Sequence, residues 1–108
     1  LWGHLKLVKL GGLAPTLAAA NRLRLADVPF MIGQMNEGHA ATAAALQLCR
    51  VVQPAFAELY GADGLTDDPV SGLEYRNGLV TVNDSPGLGV QFNAAQAHLL
   101  QEFTHARC

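Results

Sequence analysis

The chain lacks several features that would place it in a functional class at once. It has two cysteines in 108 residues, Cys49 and Cys108, which form neither a CxxC motif nor a disulfide framework. Charged residues make up only 15% of the chain and the net charge is −2, so the basic surface typical of nucleic-acid-binding proteins is missing. We therefore expect no nucleic-acid partner, and a reducing, cytoplasmic location.

Long hydrophobic segments are also missing. The apolar runs are broken by Lys, Arg or Gly well short of the roughly 18–20 residues that span a bilayer. The first residues do not combine a basic region with an apolar one, as a secretion signal does. We expect no membrane contact. Half of the residues are nevertheless hydrophobic, which is enough for one small domain with a modest core.

Glycine and proline divide the first half of the chain into alternating elements. Three short apolar segments, each ended by glycine, are predicted strands: residues 5–10, 28–33 and 55–60. The segments between them, residues 13–25 and 39–52, have the periodicity and the proline placement of helices. This order, with short connections, predicts an α/β fold with parallel strands and right-handed crossovers.

The pattern changes after Gly61. Residues 73–75 and 79–82 alternate with a period of two around Asn77-Gly78, which is the strongest short signal for a β-hairpin. Residues 83–90 form a turn-rich connector. A final helix is predicted over residues 94–107, with Leu99, Phe103 and Ala106 on its apolar side.

Candidate functional residues lie where the predicted strands end. In parallel α/β proteins, functional side chains collect at the carboxyl ends of the strands. Applied here, the rule selects Lys6 and Lys9, then Asn36-Glu37, then Glu58. A lysine and two carboxylates on one rim are suited to proton transfer. Three residues apart on a regular strand, the two lysines point to opposite faces, so at most one points straight into a given site.

Plain structural roles compete with this interpretation. A lone strand lysine more often lies at the surface, and Glu37 could simply favour the positive end of a helix. Glu58 is harder to explain in this way, since it lies between apolar residues and unpaired buried carboxylates are rare. The four histidines lack metal-ligand spacing and are expected at the surface. Asp67-Asp68 is more typical of a solvated turn than of a cation site.

Four motifs follow one another along the chain. They are Leu5-Lys6-Leu7-Val8-Lys9-Leu10-Gly11-Gly12, Pro29…Gly33-Gln34-Met35-Asn36-Glu37, Glu58-Leu59-Tyr60-Gly61 and Pro86-Gly87-Leu88-Gly89-Val90. In this order they resemble the closing third of the enolase superfamily. The resemblance is closest to the muconate cycloisomerase-like subgroup of the mandelate racemase/muconate lactonizing enzymes, and it runs from about residue 5 to residue 92.

This resemblance implies a modified TIM-type (β/α)7β barrel with a capping domain. Residues 1–61 would hold barrel strands six to eight and two helices. Residues 62–108 would return to the cap domain as a hairpin, a Pro-Gly-Leu-Gly segment and a helix. Because three strands cannot close a barrel, the chain is expected to be the C-terminal portion of a longer enzyme, and to need a missing N-terminal barrel and cap portion as its partner. The whole enzyme is expected to be a homo-oligomer.

The resemblance also implies an isomerase that acts on a small carboxylate substrate. Family members bind Mg²⁺ or Mn²⁺ and move the proton alpha to the carboxylate through a metal-stabilised enolate. Lys6 matches the acid/base lysine and Lys9 a non-catalytic basic position. Glu58 matches the glutamate that hydrogen-bonds the substrate, whereas Asn36 and Glu37 match supporting or substrate-binding positions. The metal ligands belong to earlier strands, so no metal ligand and no activity are expected in the isolated chain.

Several readings stay open at the level of sequence. Within the superfamily, the reaction could be that of a cycloisomerase, an epimerase, a racemase or an o-succinylbenzoate synthase-type dehydratase. Outside it, the chain could be a non-catalytic α/β module that associates through open sheet edges. A small independent three-stranded enzyme is a third interpretation, although no metal or cofactor site is evident for it.

Overall fold

Three parallel strands form the sheet around which the chain is folded. The structure is a computed structural model and describes residues 1–104. Its main sheet contains β1 (Gly3–Lys6), β2 (Phe30–Gly33) and β3 (Phe56–Ala57), in the order β1-β2-β3. Both pairings are parallel, so the three strands end at the same edge. The predicted alternation of strands and helices is thereby confirmed.

Helices cover one face of this sheet. A single turn, α1 (Leu7–Leu10), follows β1 directly, and the longer helices are α2 (Leu13–Leu25) and α3 (His39–Val52). Both long helices have the predicted bounds. The core lies between them and the sheet, and its buried residues are Leu5, Leu7, Ala20, Phe30, Ile32, Ala45, Leu48, Val52 and Leu59.

The opposite face of the sheet carries no helix in the described part of the chain. Side chains alternate along a strand, so the neighbours of the helix-facing Leu5 point to this side. We call it the open face; its residues are Trp2, His4, Lys6, Met31, Gly33 and Phe56. The rings of Trp2 and Phe56 meet across it, with centroids 5.6 Å apart.

All three strands are shorter than predicted, and β2 begins at Phe30 instead of residue 28. β1 stops at Lys6, and the next four residues form α1, which ends at Gly11 in the left-handed conformation (φ 96°). Glycine at this position is a common helix end, and a short apolar run does not by itself distinguish a strand from a helix. Lys9 therefore lies exposed on a helical turn, and the opposite-face argument for the two lysines is wrong. β3 covers two residues instead of six.

The second half of the chain forms two small antiparallel pairs. β4 (Val70–Ser71) pairs with β7 (Gln91–Phe92), and β5 (Leu73–Arg76) pairs with β6 (Leu79–Val82). The predicted hairpin is confirmed. Its two turn residues, Asn77 (φ 52°) and Gly78 (φ 76°), both have the positive φ that a type I′ turn requires.

The predicted final helix is wrong over residues 97–104. Only a single 3₁₀ turn, Ala94–Gln96, forms, and the described residues after it have no regular structure. Leu99 and Phe103 are 82% and 79% exposed, so no other part of the described residues packs against this apolar side. Packing of such a side supplies most of a helix's stability. Ala106 lies outside the described residues.

Over residues 1–104, every helix is too short or too polar to cross a bilayer.

Candidate active site

Lys6 and Glu58 lie at the same edge of the sheet, on either side of Gly33. Lys6 pairs with Gly33, and Ile32 pairs with Ala57. The register continued by one residue sets Glu58 beside Gly33, and the Glu58 N–H donates to the Ile32 carbonyl at 2.9 Å. Adjacent strands are about 4.8 Å apart, so the backbones of Lys6 and Glu58 are separated by roughly 10 Å. A small ligand fits across this distance.

The amino group of Lys6 is free of carboxylate partners within the described part of the chain. Its Nζ lies 3.6 Å from the Met35 sulfur, which is a weak acceptor. The ion pairs of the described residues involve other side chains. Since no carboxylate of residues 1–104 holds the Lys6 amino group, it is accessible to a ligand bound on the open face.

The loop after β2 carries Asn36 and Glu37, and within the described residues Glu37 forms no ion pair with Lys6. Glu37 Oε1 is 3.4 Å from the Met35 backbone nitrogen. Its side chain borders a hollow of about 360 Å³ formed with Gly11, Gly12 and the start of α2. Asn36 is exposed. The structure therefore brings the loop, through Met35, to Lys6, but it does not bring the two charged groups together.

Glu58 is exposed, and the expectation of a buried carboxylate is wrong. The reason is its place at the end of β3, which is the last strand of the sheet within the described residues. Glu58 also borders a groove of about 560 Å³ between β3, α3 and the hairpin, together with Asp63 and Arg76. Its carboxylate is thus accessible to a ligand.

His4 shares the open face with Lys6. Its imidazole lies directly over Gly33, so closely that a side-chain carbon at position 33 would collide with Nε2. His4 is exposed, as expected for a surface histidine. Because Gly33 has no side chain, the imidazole occupies the space above it, between Lys6 and Glu58.

His39 and Asp68 do not have the surface positions expected of them. Asp68 accepts hydrogen bonds from the His39 backbone (2.6 Å), the His39 ring (2.8 Å) and the Val70 backbone (2.9 Å). The two side chains are only 19% and 10% exposed. Burial alone would raise the pKa of Asp68, but these hydrogen bonds outweigh it and hold the pKa below its usual 3.8. Asp68 thereby ties the segment before β4 to the first turn of α3.

We expect Asp68→Ala to lower the free energy of unfolding by about 1–3 kcal/mol at pH 7, because buried donors lose a charged acceptor. Because the pKa of Asp68 is lower in the folded protein, the ionised side chain stabilises the fold at pH values above its unfolded pKa of about 3.9. This contribution is lost as the pH falls through the folded pKa. Urea denaturation at pH 7, 5 and 3 should show the difference from the parent shrinking at pH 3. Asp67→Ala, at the exposed neighbour, is the control. A difference that stays constant with pH would contradict this assignment.

Two polar residues near the strand ends, the buried Gln34 and the half-buried Tyr75, were not selected from the sequence. Gln34 directly follows β2, and its Nε2 donates to Thr42 Oγ1 at 2.9 Å. The Tyr75 hydroxyl donates to the Leu59 carbonyl at 2.8 Å, next to Glu58. The polar residue directly after a buried strand was the one available signal for Gln34. No sequence signal pointed to Tyr75, because it lies on the hairpin and contacts the strand end only in the folded chain.

A metal ion has no ligand set among the residues that the structure describes. No group of three or more His, Cys, Asp or Glu side chains lies close enough together there to hold one. The described residues therefore do not fit the divalent cation that the family resemblance implies. They offer an amine and a carboxylate at one sheet edge, which are groups for proton transfer and hydrogen bonding.

Known proteins are similar to this chain in fold and in sequence. A model of the family described as "Enolase C-terminal domain-like" matches residues 3–97. The L-Lys-D/L-Arg epimerase of Desulforapulum autotrophicum is 37% identical over 90 residues, which cover 82% of this chain and 25% of that protein.

Two solved structures have the same TM-score and the same sequence identity to this chain. The dipeptide epimerase from Methylococcus capsulatus, complexed with Mg and the dipeptide L-Arg-D-Lys, has a TM-score of 0.78 at 31% identity, covering 84% of this chain and 26% of that one. The muconate lactonizing enzyme from Klebsiella pneumoniae also has a TM-score of 0.78 at 31% identity, covering 88% and 28%. The chain thus spans about a quarter of the length of these relatives.

Proposed function

Because this chain belongs to the enolase C-terminal domain-like family, we propose that it forms the proton-transfer side of an isomerase active site. The family was predicted from the four motifs, and that prediction is confirmed. One observation carries the proposal: Lys6 ends β1 on the open face, without a carboxylate partner in the described residues, in one row with Glu58.

In this proposal Lys6 is the general acid/base. Its amino group removes the proton alpha to the substrate carboxylate, or returns it. Glu58 hydrogen-bonds the substrate carboxylate as charge develops on it, and it carries a proton when it donates that bond. Asn36 and Glu37 have supporting or substrate-binding roles. Lys9, exposed on α1, takes no part.

The divalent cation is proposed for the whole protein and not for this chain. A bound metal ion supplies positive charge that stabilises an enolate. Its ligands, in this proposal, lie on segments that the chain does not contain, together with the strands that complete the barrel. Mg²⁺ is present in the complex of the Methylococcus relative. Mn²⁺, a homo-oligomeric state and a cytoplasmic location stay predictions.

The proposed place of the chain in a whole enzyme follows the family order. Residues 1–61 would be barrel strands six to eight with their helices, and residues 62–108 would lead back to a cap domain. The length comparison supports this, since the chain covers 25–28% of each relative named above.

The substrate that we favour is an amino-acid derivative with a free carboxylate, such as a dipeptide. The support is the 37% identity to a protein named as an L-Lys-D/L-Arg epimerase. Cycloisomerisation of a muconate is the second candidate, because the Klebsiella relative is as similar in fold as the dipeptide epimerase. A dehydratase reaction is supported by neither name.

Proton exchange in heavy water tests the proposal. The full-length protein that contains this chain is incubated with Mg²⁺ and each of three substrate classes: dipeptides of Lys or Arg, N-succinyl amino acids, and cis,cis-muconate. We expect ¹H NMR to show loss of the alpha-proton signal in one amino-acid class, and expect EDTA to stop it. Lactone formation without exchange would assign the cycloisomerase reaction. No reaction with any class would contradict the proposal.

A non-catalytic module is the alternative from another class. Trp2 and Phe56, 55% and 63% exposed on the open face, favour association with another surface. Sedimentation of the 108-residue chain alone tests whether its sheet is incomplete. A stable monomer with no tendency to associate would argue against exposed sheet edges. Alpha-proton exchange by the full-length protein would exclude a purely non-catalytic role.

A further inference from the structure

Three polar side chains lie behind the loops that carry the proposed site residues. They are Gln34, Thr42 and the half-buried Tyr75. Gln34 is 6% exposed and Thr42 is fully buried, and their side chains are bonded at 2.9 Å. The Tyr75 hydroxyl reaches the same region from β5 and donates to the Leu59 carbonyl at 2.8 Å.

The bond from Tyr75 acts on the backbone next to Glu58. β3 ends at Ala57, and the last bond to β2 that follows it is the one from the Glu58 N–H to Ile32. Beyond that point the sheet no longer fixes the chain. Leu59 is buried, and a buried carbonyl needs a donor. Tyr75 supplies this donor and so fixes the peptide that directly follows the proposed substrate-binding glutamate.

Its environment keeps Tyr75 a hydrogen-bond donor. Burial raises the pKa of the Tyr75 hydroxyl, and neighbouring polar groups offset this only in part. The hydroxyl therefore stays protonated throughout the neutral range. Phenylalanine at this position would keep the ring and its packing but would leave the Leu59 carbonyl without its partner.

The same region connects to the loop that carries Asn36 and Glu37. At Gly61, two residues after Leu59, a side-chain carbon would lie 2.7 Å from each of Gln34 Nε2, Met35 O and Glu37 N. The segment after β3 is therefore in direct contact with the loop after β2. Gln34 Oε1 is buried and has no partner among the described residues.

We propose that Tyr75 is a positioning residue of the site: it holds the Glu58 backbone through Leu59, in a segment that contacts the Asn36-Glu37 loop at Gly61. This inference rests on the proposed function. It assigns a role in the site to a hairpin that lies outside the main sheet and carries no reacting group.

Tyr75→Phe in the full-length protein tests this role. We expect kcat to fall about 10-fold with KM changed less than about threefold, because displacement of a supported group affects the transition state most. Amide hydrogen exchange should accelerate at residues 58–61 and stay unchanged in α2. Thr81→Val is the matched control, since it removes a hydroxyl from an exposed position of the paired strand and should change neither measurement.

The outcomes separate the two proposals. Faster exchange at residues 58–61 with unchanged kcat overturns the positioning role and leaves Tyr75 a purely structural residue. An equal loss of kcat in Thr81→Val also overturns it. Unchanged exchange in Tyr75→Phe overturns it even where the parent protein has no isomerase activity. Absence of activity in the parent, with faster exchange in the variant, contradicts the proposed function and with it the role in catalysis.

Discussion

Lys6→Met is expected to lower the turnover of the full-length isomerase by about 10³-fold, since general acid/base catalysis contributes roughly 10²–10⁴-fold. Methionine keeps an unbranched apolar side chain on the open face and removes only the amino group. The recorded polar contact of that group is with the Met35 sulfur at 3.6 Å. Stability should therefore stay unchanged. Alpha-proton exchange measures the turnover, and thermal unfolding followed by circular dichroism measures the fold.

The chain offers a close control for this variant. Lys9 is the same residue type three positions later, exposed on the turn α1. Lys9→Met should retain turnover within about twofold, since surface substitutions away from a site have small effects. If both variants lose activity equally, the effect comes from the charge of the segment. If Lys6→Met stays fully active, Lys6 is not the acid/base.

Gly61→Ala is expected to disrupt both stability and the site. Gly61 is buried, and a side-chain carbon there would lie 2.7 Å from backbone atoms of Met35 and Glu37. Backbone cannot rotate away as a flexible side chain can, so the loop after β2 must shift. Overpacking of this kind costs about 1–3 kcal/mol. Because the loop carries Asn36 and Glu37, we also expect turnover to fall by more than about 10-fold.

Urea denaturation and the exchange assay together check this prediction. Gly64→Ala is the control, because among the described residues nothing lies within 4 Å of a side-chain carbon at that position. It should change the free energy of unfolding by less than about 0.5 kcal/mol. Equal stability of the two variants would mean that the loop tolerates the added carbon, and the proposed coupling between the strand-end loops would then be wrong.

The order of elements follows from local signals. Glycine, proline and apolar periodicity act within a few residues, so the bounds of α2 and α3 could be predicted directly. The hairpin could also be predicted, because Asn77 and Gly78 accept the positive φ that its turn needs. The rule for parallel strands then places Lys6 and Glu58 at one edge without any knowledge of their contacts.

The ends of the strands and the last helix depend on packing instead. Leu7–Leu10 has the composition of a strand but forms a helical turn, because Leu7 turns into the core and Gly11 ends the turn. The predicted helix over residues 94–107 has an apolar side, yet Leu99 and Phe103 find no surface to cover them in the described part of the chain. The periodicity of the sequence shows which side of a segment is apolar, but whether that side is buried depends on tertiary contacts.

The contacts that shape the site join residues far apart in sequence. His39 and Asp68 are 29 residues apart, and Tyr75 and Leu59 are 16 residues apart. Side-chain type alone could therefore nominate Lys6 as the group that moves a proton, whereas only the folded chain brings Tyr75 to the backbone beside Glu58. The type of each side chain is given by the sequence at that position. The hydrogen bonds that orient these side chains form only in the tertiary structure, because their partners come from segments far apart in the chain.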